Sequence, residues 1–304
     1  MKIGYVSAIL PELQFKELID HASENKNNCV EVCCWPVGQA VRRYAGVTHI
    51  DVDDMDDQKV SQINQYLKDK GVIISALGYY PNPLDPDRFK REFYINHIRK
   101  VIDSAALLGI NQINTFIGRD QFRSVDENFE QFRIIWKPII QYAEKLRVKV
   151  GIENCPMLFT SKEWPGGQNL ATTPSIWRRM FQEIPSDYFG LNYDPSHLIW
   201  MQMDYIKPIY EFREKLFHIH IKDAKVYPEK LKEVGIMAYP LEFHSPKLPG
   251  LGDIDWNKFF SALKDVDYRG AACIEIEDKA YEESIETKIQ ALHLSKKYIS
   301  QFVL

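Results

Sequence analysis

Residues 189–223 read FGLNYDPSHLIWMQMDYIKPIYEFREKLFHIHIKD. Phe189–Tyr193 and Leu216–Ile221 are short apolar runs, and Tyr205–Lys215 between them has helical periodicity. A strand, a helix and a strand in this order form a parallel unit, since antiparallel neighbours need only a tight turn. Working outward, the pattern repeats along the chain. Further strands are predicted at Lys2–Ser7, Cys29–Cys34, Val72–Leu77, Gln112–Phe116, Val148–Asn154 and Ala271–Ile276. Most are continuously apolar, as parallel strands covered on both faces are. Helices are predicted at Leu13–Glu24, Gln58–Lys70, Arg88–Leu108, Glu127–Lys145, Pro174–Ile184, Asp255–Val266 and Tyr281–Ser300. In the third of these, Ile95, Ile98, Val101, Ile102, Ala105 and Leu108 share one face. Thr173 precedes Pro174 as a cap before a first-turn proline, and Gly71 and Gly109 stand where helices end.

Eight strands alternating with eight helices is the count of a (β/α)8 TIM barrel, α/β in class. No linker rich in Pro, Gly or Ser interrupts the chain, so residues 1–304 are expected to be one domain. The competing fold, an open doubly wound sheet, calls for a Gly-rich turn after the first strand. Here that turn is Val6-Ser7-Ala8-Ile9-Leu10. Two connections are long, from Asn154 to Pro174 and from Asp223 to Asp255. Both follow strands, which in a barrel places them on the catalytic face.

Composition narrows the function. The 38 basic and 42 acidic side chains sum to a net charge of −4, which argues against a surface built to neutralise nucleic-acid phosphates. The five cysteines, Cys29, Cys33, Cys34, Cys155 and Cys273, contain no CxxC pair. That suits reduced thiols in a cytoplasmic protein. Neither a signal peptide nor a membrane span is legible.

Chemistry concentrates where the later strands end. Glu153-Asn154 closes the fifth strand, and Asp194-Pro195-Ser196-His197 follows the sixth. The seventh carries His218, His220, Lys222 and Asp223, and the eighth Glu275, Glu277 and Asp278. A lone Glu at a strand end is ordinarily solvated or paired, and a lone His in a strand is ordinarily a hydrogen-bonded core residue. Many ionisable groups around one barrel mouth are costly to bury without a counter-charge. One divalent cation held by two Glu, one Asp and one His supplies it. Such a donor set favours manganese, magnesium or cobalt and admits zinc. His218 and His220 share a face, as do Glu275 and Glu277. His220 and Glu275 are the preferred ligands, with His218 packing or supporting.

These motifs, together with Pro249-Gly250-Leu251-Gly252-Asp253-Ile254-Asp255-Trp256, resemble the xylose-isomerase-like TIM-barrel superfamily. Within it the chain is similar to the sugar phosphate isomerase/epimerase group. The resemblance implies metal ligation by Glu153, Asp194, His220 and Glu275, and substrate contact by His197. It also implies a possible homo-oligomer. The related endonuclease-IV-like repair enzymes need further histidines, and none ends the third strand (Gly78-Tyr79-Tyr80) or the fourth (Thr115 to Asp120).

The resemblance implies proton transfer next to a carbonyl, with Glu153 and Glu275 as catalytic acid and base and the metal stabilising an enediolate. Lys222, His244, Trp35, Trp164 and Arg119 are candidate substrate contacts. Against each stands a bland alternative: a rim lysine, a solvated loop histidine, core tryptophans, and an arginine paired with Asp120. Arg42-Arg43 is read as a solvated face. With no Gly-rich phosphate cradle, a non-phosphorylated sugar, polyol or glycoside derivative is expected. Three functions stay open. One is a metal-dependent sugar isomerase or epimerase. The second is a dehydratase or lyase on a keto-sugar, keto-inositol or 3-keto-glycoside. The third is a barrel that binds a sugar or a protein without turnover. The partner is expected to be a small carbohydrate, with neither nucleic acid nor membrane.

Overall fold

The computed structural model describes residues 1–38, 45–158 and 160–303. Arg42 and Arg43 lie outside the described residues. In chain order the strands are β1 (Lys2–Val6), β2 (Cys29–Cys33), β3 (Ile73–Gly78), β4 (Gln112–Thr115), β5 (Lys149–Glu153), β6 (Phe189–Tyr193), β7 (Leu216–Ile221), β8 (Asp223–Val226), β9 (His244–Lys247) and β10 (Ala271–Ile274). All but β8 and β9 form one closed parallel barrel, in which β1 pairs with both β2 and β10. This is the (β/α)8 architecture expected from the alternation of elements. β8 and β9 pair as an antiparallel hairpin beyond the end of β7.

The helices are α1 (Phe15–Glu24), α2 (Asp57–Lys70), α3 (Arg88–Leu108), α4 (Val125–Lys145), α5 (Pro174–Glu183), α6 (Pro195–Trp200), α7 (Lys207–Glu211), α8 (Pro228–Val234), α9 (Trp256–Asp265) and α10 (Ile285–Ile299). Their ends follow local chemistry. Ser124 and Glu127 form a capping box at α4, Thr173 caps α5 ahead of Pro174, and left-handed Gly71 and Gly109 stop α2 and α3. The α4 face bearing Phe129, Phe132, Trp136, Ile139, Ile140 and Ala143 is buried. No helix among the described residues is long and apolar enough to cross a membrane.

The structure differs from the sequence reading in three places. The helix expected over Tyr205–Lys215 is α7 followed by a 3-10 turn at Arg213–Lys215. The long connection after β7 is built from the β8–β9 hairpin and α8. A short helix, α6, begins directly at Asp194, whose carboxylate accepts from the Ser196 N–H at 2.7 Å.

The bore of the barrel is unusual. Such a bore is ordinarily filled by branched apolar side chains. Here Gln112 donates to Asn114 at 2.9 Å, and Asn114 donates to Glu31 at 2.8 Å. The Tyr80 hydroxyl also donates to Glu31. His218 spans Asn192 Oδ1 at 3.0 Å and Ser75 Oγ at 3.1 Å. Two glycines make room for these groups. A Cβ on Gly151 would stand 2.6 Å from Asn114 Oδ1, and one on Gly78 would stand 2.7 Å from Glu31 Oε1. Gly151→Ala therefore overfills a closed polar core and should destabilise the protein by about 1–3 kcal/mol. A lower denaturant midpoint at unchanged slope is the expected result.

Candidate active site

The closed sheet aims four side chains at one point above the bore. Glu153 is the last residue of β5, Asp194 follows β6, His220 lies on β7, and Glu275 follows β10. One ligand atom from each lies within 4.8 Å of the others. His220 Nδ1 is 3.1 Å from Glu275 Oε2 and 3.7 Å from Glu153 Oε1. His197, on α6, places Nε2 3.2 Å from Asp194 Oδ2 and 3.6 Å from Glu153 Oε1.

Hydrogen bonding is incomplete here, in contrast to the bore. Asp194 Oδ2, His197 Nε2, His220 Nδ1 and Glu275 Oε2 are buried, and none meets a partner in hydrogen-bond geometry. Buried polar atoms left this way are costly. Three carboxylates and an imidazole with inward-facing lone pairs fit a divalent cation. The structure brings together the four residues read from sequence as candidate ligands, Glu153, Asp194, His220 and Glu275.

The electrostatics set the two glutamates apart. Burial pushes the Glu153 carboxyl up, but His197, His220 and Lys222 overcome it and hold it well below the usual carboxylate range. Burial raises the Glu275 carboxyl too, and there it prevails with help from Glu153, against Lys222 and His220. Burial likewise works against Asp194, whose carboxyl His197 holds low. Burial works against the His197 imidazolium, yet Cys155 and Asp194 raise it well above the usual histidine range.

A cavity of about 600 Å3 opens over this cluster. Trp35, His197, Lys222 and His244 line it. Lys222 is buried, with Nζ 2.8 Å from Glu277 and 3.5 Å from Glu275. His244 gives its Nδ1 hydrogen to the Pro240 carbonyl at 2.6 Å and stacks on Trp200. Burial pulls its pKa down to about 4, so the ring is neutral near pH 7. Trp164 and Arg119 are placed elsewhere and are not among the lining residues. The Trp164 indole donates to the Met237 carbonyl at 2.8 Å, joining the loop after β5 to the segment after β7. Arg119 donates to the Gly166 carbonyl at 2.7 Å, and so holds that same loop rather than facing the cavity.

Sequence reasoning missed Glu31. It lies in the middle of β2, fully buried, with Oε2 2.9 Å from His220 Nε2. The signal was present: a carboxylate inside the apolar run Cys29-Val30-Glu31-Val32-Cys33 has the same oddity as the histidines in β7. Cys155 was passed over as well. It lines the cavity and forms a close group with Glu153 and His197.

The segment after β7 is anchored by Asp223. Its carboxylate accepts from the N–H groups of Ala224 at 2.9 Å, Gly250 at 2.9 Å and Ile254 at 3.2 Å, and from the Trp256 indole at 2.9 Å. Gly252 sits so close that a Cβ there would lie 2.1 Å from Asp223 Oδ1. The Pro249–Trp256 motif is thus a wrapping around one buried carboxylate.

Comparison with known proteins identifies the family and the fold. The profile of the xylose isomerase-like TIM barrel family matches residues 19–294. Over 329 aligned residues the chain is 26% identical to the uncharacterized protein YfiH of Bacillus subtilis (strain 168), covering 99% of this chain and 100% of that one. It is 27% identical over 169 residues to an inosose dehydratase of Clostridium tetani (strain Massachusetts / E88), covering 55% of this chain and 54% of the other. The fold superposes on a D-psicose 3-epimerase from Clostridium cellulolyticum H10, solved with D-tagatose. That match has a TM-score of 0.72 at 13% identity and covers 100% of this chain and 99% of that one.

Asp223→Asn puts amide hydrogens where only donors converge. It should cost about 1–3 kcal/mol. Limited proteolysis should show faster cleavage between residues 224 and 253, with the barrel's far-ultraviolet circular dichroism retained.

Proposed function

The chain belongs to the xylose isomerase-like TIM barrel family, and from that premise we propose that it is a divalent-metal-dependent sugar isomerase or epimerase. Its substrate in this reading is a non-phosphorylated keto-sugar or polyol derivative. One observation carries the reading: Glu153 and Glu275 reach the same buried point from separated strands, with Asp194 and His220 completing the ring.

Glu153, Asp194, His220 and Glu275 are the residues that would hold the metal. When bound, it supplies Lewis-acid polarisation of the substrate carbonyl and charge stabilisation for an enediolate. The protein's own groups do the rest. One glutamate takes the proton from the carbon next to the carbonyl, and the C–H electron pair becomes the enediolate double bond. The other glutamate returns a proton to the opposite face, which inverts the centre. Carboxyls with unlike proton affinities on two sides of one point support such an exchange. In this reading Lys222 and His197 donate to substrate oxygens and Trp35 is an apolar wall, which their lining of the cavity supports. His244 has its Nδ1 hydrogen committed and offers Nε2 as an acceptor.

A second reading, dehydration, is supported by the sequence match to an inosose dehydratase. The first step is the same; the enediolate then re-forms the carbonyl as its carbon–carbon electron pair makes a double bond to the β-carbon, and the β-hydroxyl leaves as water with the proton that the glutamate took. The two are told apart by incubating the manganese-loaded protein with a panel of keto-sugars in D2O, followed by NMR. Epimerisation gives deuterium at the carbon next to the carbonyl with no loss of water, and release of water or an aglycone replaces it with the lyase reading. Glu153→Gln and Glu275→Gln should each slow exchange by about 10²–10⁴-fold, and a chelator should abolish it. Unchanged turnover in both variants and after chelation would defeat the proposal.

A further inference from the structure

Glu31 has no place in the mechanism above, yet it is a fully buried carboxylate with three side-chain partners. It comes from β2, which does not pair with β7 in the sheet. Its Oε2 accepts from Asn114 Nδ2 at 2.8 Å and lies 2.9 Å from His220 Nε2, and its Oε1 accepts from the Tyr80 hydroxyl. It does not belong to a second metal site. The neighbouring His218 has Nδ1 on Asn192 and Nε2 on Ser75, so neither of its nitrogens is available.

The pairing with His220 decides which nitrogen of that ring carries hydrogen. Two groups compete for Nε2: the Glu31 carboxylate at 2.9 Å, which wants a hydrogen, and the Asn192 amide at 3.0 Å, which offers one. If Asn192 won, Nε2 would turn a lone pair toward a carboxylate and Nδ1 would carry a hydrogen toward the ligand cluster. If Glu31 wins, Nε2–H makes a charge-assisted bond and Nδ1 turns its lone pair toward Glu153 and Glu275. The charge-assisted bond is the stronger one. A histidine whose far nitrogen donates to a carboxylate is also a more basic ligand, held at a fixed ring angle.

We infer that Glu31 is a positioning residue for the metal centre: it fixes His220 as an Nδ1 ligand and strengthens that ligand's hold on a divalent cation. The inference rests on the metal reading proposed above. It assigns a function to a residue 189 positions away from the ligand it orients.

The test measures metal affinity rather than turnover. Zinc and manganese are titrated by calorimetry against the metal-free parent, Glu31→Gln and Glu31→Leu. Glutamine keeps an acceptor and loses the charge, and leucine removes both. Affinity should fall about tenfold for the first and toward about a hundredfold for the second. The cobalt-loaded proteins should show altered visible absorption bands, which a general loss of stability would not produce. Should a variant fail to fold, the zinc-loaded parent still answers. Long-range proton–nitrogen spectra of its histidine rings should show His220 with hydrogen on Nε2 and metal on Nδ1. The opposite tautomer would overturn the inference, as would affinities within twofold of the parent in both variants. A parent that binds neither metal overturns the metal reading, and this inference with it.

Discussion

Four carboxylates, Glu31, Glu153, Asp194 and Glu275, are withdrawn from water inside one closed barrel, and the means of answering their charge organises everything around them. Each would cost several kcal/mol to bury alone. Glu31 is answered within the protein, by Asn114, Tyr80 and His220. The other three are answered only in part, by His197, His220 and Lys222. The line between the satisfied and unsatisfied groups runs through His220. One of its nitrogens belongs to the hydrogen-bonded bore and the other faces Glu275 and Glu153. The scaffold therefore ends, and the reactive region begins, within a single imidazole ring.

This division explains the packing beneath the site. Branched apolar layers would give a stable bore but no means of orienting a ligand. The amides of Gln112, Asn114 and Asn192 do orient, and they fit because Gly78 and Gly151 carry no side chains. The rim uses the same device in another form. Asp223 gathers backbone and indole donors from both ends of the segment that follows β7. Polar networks of this kind are rigid when fully satisfied, and rigidity is what the proposed proton transfer would ask of the site's walls.

The barrel was legible in the sequence because parallel strands covered on both faces are continuous apolar runs. Phe189–Tyr193 and Leu216–Ile221 coincide with β6 and β7. The clustering of Glu153, Asp194, His220 and Glu275 was legible because a barrel collects the ends of its strands. The hairpin was not. Asp223-Ala224-Lys225-Val226 alternates over only four residues and His244-Ser245-Pro246-Lys247 does not alternate at all, and the segment is held by distant donors around Asp223. Trp164 and Arg119 mark the same limit. They sit on loops near the mouth, but what they bond to, Met237 and Gly166, depends on how loops fold over one another. Glu31 was hidden differently. It is displayed by its own strand, but its partner comes from β7, and local spacing carries no record of that.

The distance along the chain between Glu31 and His220 has a consequence for how the molecule is made. Strand β2 forms near the start of the chain and β7 in its last third, and they face one another only after the sheet has curled round on itself. Contacts this remote in sequence form late, because the closure entropy of the intervening loop is spent first. A chain whose sheet is still open holds His220 without the Glu31 carboxylate beside it. Assembly of the candidate site therefore needs strands from distant parts of the chain, and a partly formed barrel lacks the full set of facing groups.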